Sequence, residues 1–353
     1  MNERTLRILT LARLPGFGAR KISSLIRAGG VDELIREPRR FADLIGELAL
    51  QSLESRSARE EAERTLKQAT LKGQSVAVLG SPEYPASLAA IYDPPPVLFF
   101  RGSLRSGARR VAIVGARGAT PSGRSLARDL AHGLAGCGIE VVSGLARGID
   151  GSAHEGALKG GGTTLAVLGS SVDIIYPAEH QGLASRIETK GAVISELPPG
   201  TPPVASQFPS RNRIIVGLSE AVIMVEAGSR SGALITTRLA LDEGRDVLAV
   251  PGRPADPLSY GPNLMIRDGA TLIRGLQDVL DHLGIDSGEA KKISGTADPI
   301  LETLAHSAPK SIDQLSVDTG LGAPLLMARL SELELDGKIE RLPGTLFRSA
   351  SPA

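Results

Sequence analysis

The pattern of hydrophobic and polar positions divides the chain into three sections. Residues 1–74 are rich in Leu, Arg and Glu and are predicted to be helical. Across residues 75–284 the pattern changes to short runs of Val, Ile and Leu that alternate with helical segments. A polar stretch at 285–297 is predicted to be a linker. Residues 298–353 form a small third section, with three helical segments followed by a short hairpin.

The middle section contains eight short apolar runs that are predicted to be strands. They are SVAVLG, PVLFFRG, RVAIVG, IEVVSG, TLAVLG, AVISE, EAVIMVEA and DVLAVPG. Because these runs are apolar on both faces and are joined by helical segments, they predict a mostly parallel sheet covered by helices. The expected fold is therefore α/β: a doubly wound, Rossmann-like domain that binds ligands outside the carboxyl ends of its strands.

The two flanking sections each allow two interpretations. In the first section, the stretch LPGFGARK (Leu14 to Lys21) places a glycine-bracketed turn between two helices. It resembles the hairpin of SAM-like and helix-hairpin-helix domains, whose glycine amides meet a DNA phosphate, but a plain interhelical turn fits as well. The third section resembles a winged helix. Its predicted recognition helix, APLLMARLSELELDGK, has one Arg and several acids, so contact with protein is as reasonable as contact with DNA.

Composition and charge narrow the class of protein. With 353 residues, 42% of them hydrophobic and 22% charged, the chain is long enough for more than one domain and has an ordinary soluble composition. No apolar run approaches the roughly 20 residues of a membrane span, and the start MNERTLRILT is not a signal peptide, so we expect a cytoplasmic protein without a membrane partner. Cys137 is the single cysteine, and no metal-ligand spacing occurs. A net charge of +1 still permits a local basic groove.

Glycine, serine and arginine follow several of the predicted strands. Arg117, Arg147, Arg230 and Arg253 each come shortly after a different strand. The carboxyl ends of parallel strands share one edge of the sheet, so this edge should be a row of backbone donors with basic side chains, suited to phosphates. In the first of these turns, VAIVGARGATPSG, the backbone N–H groups and the N-terminus of the following helix are expected to face a phosphate.

The motifs of several enzyme classes are missing. GARGATPSG lacks the G-x-G-x-x-G spacing, and the next strand ends in Ser143 and Gly144 without the acid that holds a ribose, which argues against nicotinamide and flavin enzymes. Neither the Walker motif nor G-x-S-x-G occurs. A nucleotide-processing enzyme of the lysine-decarboxylase-like family is a closer alternative. However, the turn GSRSGALITTRLA lacks that family's catalytic glutamate and has no acid before Asp242. We therefore expect no catalytic residue, metal or cofactor.

The stretch QFPSRNR has the composition of a platform for single-stranded nucleic acid. An aromatic ring can stack on a base while guanidinium groups follow the backbone. Alternatively, Phe208 belongs to the core, and Arg211 and Arg213 cap backbone carbonyls or pair with Glu226 or Glu196. The neighbouring arginine-bearing strand ends favour the nucleic-acid interpretation.

Six motifs, in this order, are similar to those of the DprA/Smf family of DNA-processing proteins. They are VGARGATPSG, SGLARGIDGSAH, TLAVLGSSVDIIYP, ISELPPGTPPVASQFPSRNRIIVGLS, VEAGSRSGALITT and AVPGRPADPLSYGPNLMIRDGA. The resemblance implies a homodimeric, non-enzymatic protein that binds and protects single-stranded DNA during natural transformation. It also implies that the protein loads RecA recombinase onto this DNA by displacing the single-strand binding protein.

The resemblance further implies which residues act. The DNA-contacting residues would be Gly115, Arg117, Ser143, Gly144, Arg147, Phe208, Arg211, Asn212, Arg213, Arg230, Ser231 and Gly232. Many members have a lysine where this chain has Gly228, which removes a phosphate contact and makes Arg230 its expected substitute. A looser match implies dimer contacts from Asn263, Leu264, Ile266 and Leu272. The two function classes that remain are this DNA-binding protein and a nucleotide-processing enzyme.

Overall fold

The structure, a computed structural model, describes residues 2–105, 107–285, 299–305, 309–319, 321–335, 338–342 and 345–349. The chain divides into two units, residues 1–293 and 294–353. Apart from Ile285, the predicted linker at 285–297 lies outside the described residues. No helix in these described ranges is long and apolar enough to cross a membrane.

Six helices open the first unit and have a small core of their own. They are α1 (Glu3–Leu11), α2 (Ala19–Arg27), α3 (Val31–Arg36), α4 (Ala42–Ile45), α5 (Glu47–Glu54) and α6 (Ser57–Leu71). The turn between α1 and α2 is the predicted one, and Gly16 takes a φ of +70° there, a conformation that glycine adopts without strain. Phe17 and Leu14 from this turn are buried against Ile22 and Leu34, so the turn anchors the helices to each other.

A nine-stranded sheet follows, and its central strands are parallel. The strands are β1 (Ser75–Val78), β2 (Val97–Gly102), β3 (Arg110–Val114), β4 (Glu140–Ser143), β5 (Thr164–Val167), β6 (Ala192–Ser195), β7 (Ala221–Met224), β8 (Asp246–Ala249) and β9 (Thr271–Leu272). Their order is β1-β2-β6-β5-β4-β3-β7-β8-β9, and only the β1–β2 and β2–β6 pairs are antiparallel. The eight predicted strands and the mostly parallel sheet are confirmed. The sequence analysis missed β9, a two-residue edge strand with both residues exposed.

Helices cover both faces of the sheet. They are α7 (Ala86–Ala89), α8 (Pro121–Gly136), α9 (Ile149–Lys159), α10 (Gln181–Lys190), α11 (Gln207–Leu218), α12 (Gly232–Asp242), α13 (Tyr260–Arg267) and α14 (Leu276–His282). Along β3, Val111 and Ile113 pack against α8 and α9, while Ala112 and Val114 pack in the core that α11 and α12 share. Burial on both faces explains why the strand is a continuous apolar run.

The order of the strands reverses beside β3. From β3 the chain proceeds through β4, β5 and β6 toward one edge, and it then returns to place β7 and β8 on the other side of β3. The connections on the two sides lie on opposite faces of the sheet, so a crevice opens outside the carboxyl ends of β3, β4 and β7. This topology fixes the position of the candidate site.

A neutral histidine lies in the core of the α/β section. His154 on α9 is fully buried, and its Nδ1 lies 2.7 Å from the Thr164 hydroxyl oxygen. Because that hydroxyl donates its own hydrogen to the Val141 carbonyl, the imidazole Nδ1 must be the donor in the first bond. Within the described residues, its Nε2 has no hydrogen-bond partner. Burial lowers the pKa of His154 to about 3, so the ring is neutral in the folded protein.

This histidine predicts that the protein loses stability on mild acidification. The unfolded chain binds a proton at His154 near pH 6.5 and the folded chain only near pH 3, so stability is greatest above pH 6.5 and falls as the pH drops between these values. From pH 7 to pH 5 we expect His154 to account for a loss of about 2 kcal/mol. Urea unfolding at both pH values measures it. His154→Gln, which cannot titrate, should lack this part of the loss, and an unchanged pH dependence would contradict the prediction.

In its described residues the second unit has three helices and a three-stranded sheet. Its helices are α15 (Pro299–Ala305), α16 (Ile312–Thr319) and α17 (Ala323–Leu335), and its strands are β10 (Lys310–Ser311), β11 (Ile339–Leu342) and β12 (Leu346–Ser349). The sheet is antiparallel in the order β10-β12-β11. Ile300, Leu315, Leu330 and Phe347 are buried in its core. The predicted winged-helix architecture is confirmed, and β10 is the strand that the sequence analysis missed.

Candidate functional site

A cleft of about 880 Å³ opens at the carboxyl ends of β3, β4 and β7, where the strand order reverses. Eight of the twelve predicted DNA contacts line this cleft: Gly115, Arg117, Phe208, Arg211, Asn212, Arg230, Ser231 and Gly232. Ser143, Gly144, Arg147 and Arg213 do not line it. Among the cleft's lining residues in the described structure, Asp150 is the only acid.

One wall of the cleft is apolar and aromatic. Phe208, in the first turn of α11, packs its ring against Gly169 at the end of β5, where an added Cβ would lie 2.9 Å from the ring. The Tyr176 ring lies next to it, with the ring centroids 5.6 Å apart and the planes inclined at 53°. Pro203 and Ala205 continue this wall. The wall offers flat, apolar surface of the kind on which nucleic-acid bases stack.

Two exposed arginines give the cleft its positive charge. Arg117 and Arg230 are exposed, and across the described residues neither makes a hydrogen bond or an ion pair. The Arg117 guanidinium lies over the Phe208 ring, 5.3 Å from its centroid. At Gly228 an added Cβ would meet nothing closer than the Pro257 carbonyl oxygen at 3.7 Å, so the backbone there leaves room for a Cβ. In this chain Arg230 is the cation on that side of the cleft.

The N-terminus of α12 faces the cleft. Ser231 caps this helix by accepting a hydrogen bond from the Ala233 N–H at 3.3 Å. Gly232 has open space where a side chain would be, so its backbone is accessible to a ligand. Since the N-terminus of a helix carries a partial positive charge and free N–H groups, this turn can hold an anion together with Arg230.

The N-terminus of α8 is filled by a carboxylate of the protein itself. Glu226, directly after β7, accepts a hydrogen bond from the Thr120 N–H at 2.8 Å, and Thr120 caps the helix by accepting from the Gly123 N–H at 3.0 Å. An added Cβ at Gly123 would lie 2.3 Å from the Glu226 carboxyl carbon. The expectation that this helix N-terminus faces a phosphate is therefore wrong. The part of this turn that is free for a ligand is the Arg117 side chain.

Ser143 and Gly144, both predicted to contact DNA, lie beneath the surface. Ser143 is fully buried, and its hydroxyl donates to the Ile113 carbonyl at 2.6 Å. Gly144 donates its N–H to Asp150 Oδ2 at 3.1 Å, and an added Cβ would lie 2.5 Å from Arg211 Nη2. Both predictions are corrected, because neither residue has a surface that a phosphate could reach. These residues build the floor of the cleft.

Arg211 is a buried cation that ties strand ends together. It is only 5% exposed, and its Nη1 donates to the Gly144 carbonyl at 2.9 Å and to the Val167 carbonyl. Burial lowers the pKa of Arg211 to about 10. Burial raises the pKa of the nearby Asp150, and the positive charge of Arg211 opposes that rise. Arg211 therefore positions the ends of β4 and β5 beneath the cleft, which corrects its predicted role as a phosphate contact.

Arg147 and Arg213 are engaged in ion pairs outside the cleft. Arg213 Nη2 lies 2.6 Å from Glu196 Oε2, and its Nε lies 3.3 Å from Asp93 Oδ2, with the side chain only 15% exposed. Nε, Nη1 and Nη2 all donate to these two acids and the residue does not line the cleft, so its predicted phosphate contact is corrected. Arg147 is exposed and pairs with Glu179. An exposed pair of this kind exchanges partners at little cost.

The four residues predicted for dimer contacts have different environments. The Asn263 amide exchanges two hydrogen bonds with the Gly252 backbone, at 3.1 and 2.9 Å, so it closes a local loop. Leu264 and Ile266 are half-buried against the core of the same chain. Leu272 is 45% exposed on β9, at the edge of the sheet. Only Leu272 therefore presents a largely free apolar side chain.

Residues that the sequence analysis did not select also shape the cleft. Tyr176 follows the β5 strand end in the motif TLAVLGSSVDIIYP, and Pro203 precedes α11. The sequence could have pointed to Tyr176, because this aromatic residue follows a strand that ends at the same edge of the sheet. Leu258 closes the cleft from the segment after β8. Leu258 lies within the last of the six motifs, but nothing in the sequence indicates that packing brings it to the cleft.

The fold and the cleft define a doubly wound α/β protein with a cationic and aromatic crevice at its switch point, followed by a winged helix. The family model described as DNA recombination-mediator protein A matches residues 75–284, and the one described as DprA winged helix domain matches residues 289–345. The chain belongs to the DNA recombination-mediator protein A (DprA) family, which confirms the resemblance found in the sequence.

Similar proteins and structures agree with this membership. Protein Smf of Escherichia coli (strain K12) is 40% identical over 279 residues, which cover 75% of each chain. DNA processing protein DprA of Bacillus subtilis (strain 168) is 42% identical over 214 residues, 60% of this chain and 72% of that protein. The X-ray structure of DprA from Streptococcus pneumoniae matches with a TM-score of 0.59 and 36% identity, over 75% of this chain and 97% of that one.

A second solved structure is described in terms of a ligand. It is the DNA processing protein A from Helicobacter pylori, reported for its unique single-stranded DNA binding mode. It matches this chain with a TM-score of 0.54 and 30% identity, over 59% of this chain and 95% of that one.

Proposed function

We propose that this protein binds single-stranded DNA in the cleft, as a DNA-processing protein that does not itself catalyse a reaction. The observation that carries the proposal is the combination of an apolar aromatic wall, Phe208 and Tyr176, with Arg117 and Arg230, two exposed cations that form no ion pair within the described part of the chain. The single-stranded DNA binding described for the Helicobacter pylori relative supports the same ligand.

The aromatic wall and the cations of the cleft together predict that the protein prefers single-stranded DNA to duplex DNA. Guanidinium groups and the N-terminus of α12 neutralise phosphates whatever the base, so they give affinity without sequence preference. A base can reach an aromatic ring inside a cleft only when it is unpaired, and stacking then contributes roughly 1–3 kcal/mol per base. A duplex keeps its bases inside, so it could use the cations and not the aromatic wall.

The side chains of the cleft favour binding over catalysis. Helix α12, which follows the turn after β7, carries Thr236 where a nucleotide-processing enzyme would carry a glutamate, and the Thr236 hydroxyl donates to the Gly232 carbonyl at 3.3 Å. The cleft's acid, Asp150, accepts hydrogen bonds from the Gly144 and Ala146 N–H groups at 3.1 and 3.4 Å. Its carboxylate is thus committed to shaping the floor, and it is a poor general acid or base for a nucleotide-processing reaction.

The proposal extends to partners that family membership suggests. We expect the protein to act on single strands during natural transformation, to displace the single-strand binding protein and to load RecA recombinase. A homodimer would hold two strand segments at once and so raise avidity, with Leu272 on the edge strand as its most exposed predicted contact. The helical section at 1–74, the α/β section at 75–284 and the winged helix at 298–353 are proposed as its domains.

Photochemical cross-linking tests where the bases lie. A single-stranded oligonucleotide that carries 5-iodouracil at one position is irradiated in complex with the protein, and the modified peptide is identified by mass spectrometry. We expect the cross-link on Phe208 or Tyr176, because halogenated bases react with the rings on which they stack. A duplex of the same sequence should give little cross-linking and serves as the control. Cross-links confined to the helices of residues 1–74 or to the winged helix would contradict the proposal.

A further inference from the structure

Phe208, the aromatic residue that the sequence singles out, has little free ring surface. The Arg117 guanidinium covers the ring at 5.3 Å from its centroid. The ring also packs closely on Gly169, where an added Cβ would be 2.9 Å from Cδ1, and the Tyr176 ring lies beside it at 5.6 Å. A base inside the cleft would therefore contact Arg117 and Phe208 together.

Tyr176, in contrast, is an exposed ring at the mouth of the cleft. It is 42% exposed although it lines the cleft, and Phe208 supports it on one side. Its loop is anchored at both ends, because the Ser170 hydroxyl donates to the Ile174 carbonyl at 2.7 Å and the His180 Nδ1 donates to the Leu145 carbonyl at 2.8 Å. A ring that is presented to solvent on an anchored loop loses little conformational entropy when a base stacks on it.

Arg147 is an exposed cation that is paired with an acid of the segment that carries Tyr176. The side chain of Arg147 is 60% exposed, and its ion pair with Glu179 holds it at the segment that carries Tyr176, three residues earlier in the chain. Its partner, Glu179, is 50% exposed, so the pair is solvated on both sides. A phosphate can replace Glu179 at low cost, because an exposed ion pair contributes little net stability.

We propose that Tyr176 is a second base-stacking platform, and that the next phosphate along the strand binds Arg147 in place of Glu179. The inference rests on the proposed function and deepens it. The DNA strand leaves the cleft across the carboxyl ends of β4 and β5. One of its bases contacts the Arg117–Phe208 pair inside the cleft, and the next base contacts Tyr176 at the mouth of the cleft. The site therefore holds two aromatic-contacted nucleotides in succession, with Arg147 as a phosphate contact outside the cleft itself.

Tyrosine fluorescence and affinity together test this inference. The chain has no Trp and four Tyr residues, so tyrosine emission dominates the spectrum and a base stacked on Tyr176 should quench part of it. We titrate the wild type, Tyr176→Ala and Tyr176→Phe with a dT oligonucleotide, following both anisotropy and emission. The matched control is the same pair of changes at Tyr92, a tyrosine that is 72% exposed and does not line the cleft.

The expected results separate stacking from a structural role. Tyr176→Ala should weaken single-strand binding by roughly 5- to 150-fold, the range that corresponds to one stacked base. Tyr176→Phe should keep the affinity and lose the quenching, and both Tyr92 variants should behave like the wild type. Unchanged affinity in Tyr176→Ala, or unchanged quenching in Tyr176→Phe, would overturn the inference while leaving the proposed function standing. A wild type that fails to bind the oligonucleotide would overturn both.

Discussion

Replacing Arg211 with Met is expected to destabilise the protein by about 3–5 kcal/mol, as the loss of one member of a buried charged pair does. The Met side chain approximates the volume of the arginine stem but donates no hydrogen bond. The carbonyls of Gly144 and Val167 would lose their donor, and Asp150 would keep a buried carboxylate without the neighbouring positive charge. Urea unfolding at pH 7 measures the change.

Two exposed arginines serve as controls, because the expected loss of stability in Arg211→Met comes from the burial of that residue. Arg147→Met breaks an exposed ion pair and should leave the free energy of unfolding nearly unchanged. Arg230→Met removes an exposed arginine with no described partner and should change the stability by about 0.5 kcal/mol or less. If Arg211→Met cost no more than these two variants, the guanidinium would not be holding the ends of β4 and β5 together.

The fold was predictable from sequence wherever a pattern was local. The run from Val111 to Val114 is apolar at every position because both faces of β3 are covered, and a continuous apolar run followed by a turn and a helix indicates a parallel strand. β9 has no such pattern. It consists of Thr271 and Leu272, two exposed residues that become a strand only because β8 lies next to them.

The sequence predicted the position of the site on the sheet better than it predicted which of its residues are free to contact a ligand. Arg117 and Arg230 follow strands that end at one edge, and strand order brings them to the same cleft. The sequence analysis offered Glu196 as one partner of Arg213, and the structure has this pair, but the second partner could not be inferred in this way. Asp93, which pairs with Arg213, is 120 residues away in the chain, and only the packed structure brings the two together.

Burial of polar groups is the other property that the sequence did not reveal. Ser143 ends a strand in the same way as a ligand-binding serine would, yet its hydroxyl faces the Ile113 carbonyl inside the sheet. Glu226 was considered only as an ion-pair partner, whereas it supplies the charge that fills the N-terminus of α8. In both cases the hydrogen bond joins groups from segments that are distant in the chain.

The double variant Arg117→Ala/Arg230→Ala is expected to lose most of the electrostatic part of single-strand binding. Each phosphate that the protein neutralises on a single strand adds about 0.7 to the negative slope of log affinity against log salt. Removing two such contacts should make the slope shallower by about 1.4 and weaken binding roughly 25-fold at 0.1 M salt. The fold should be unaffected, since both side chains are exposed and make no ion pair in the described structure.

The most direct test of the central claim is the salt dependence of single-strand affinity, measured by fluorescence anisotropy for the wild type and this double variant. The matched control is Arg186→Ala/Arg238→Ala, which removes two exposed arginines that do not line the cleft. Binding of single strands by the cleft predicts a shallower slope in the first variant, a wild-type slope in the second, and a wild type that prefers single strands to duplex. Equal slopes in all three proteins, or equal binding of duplex and single strands by the wild type, would contradict it.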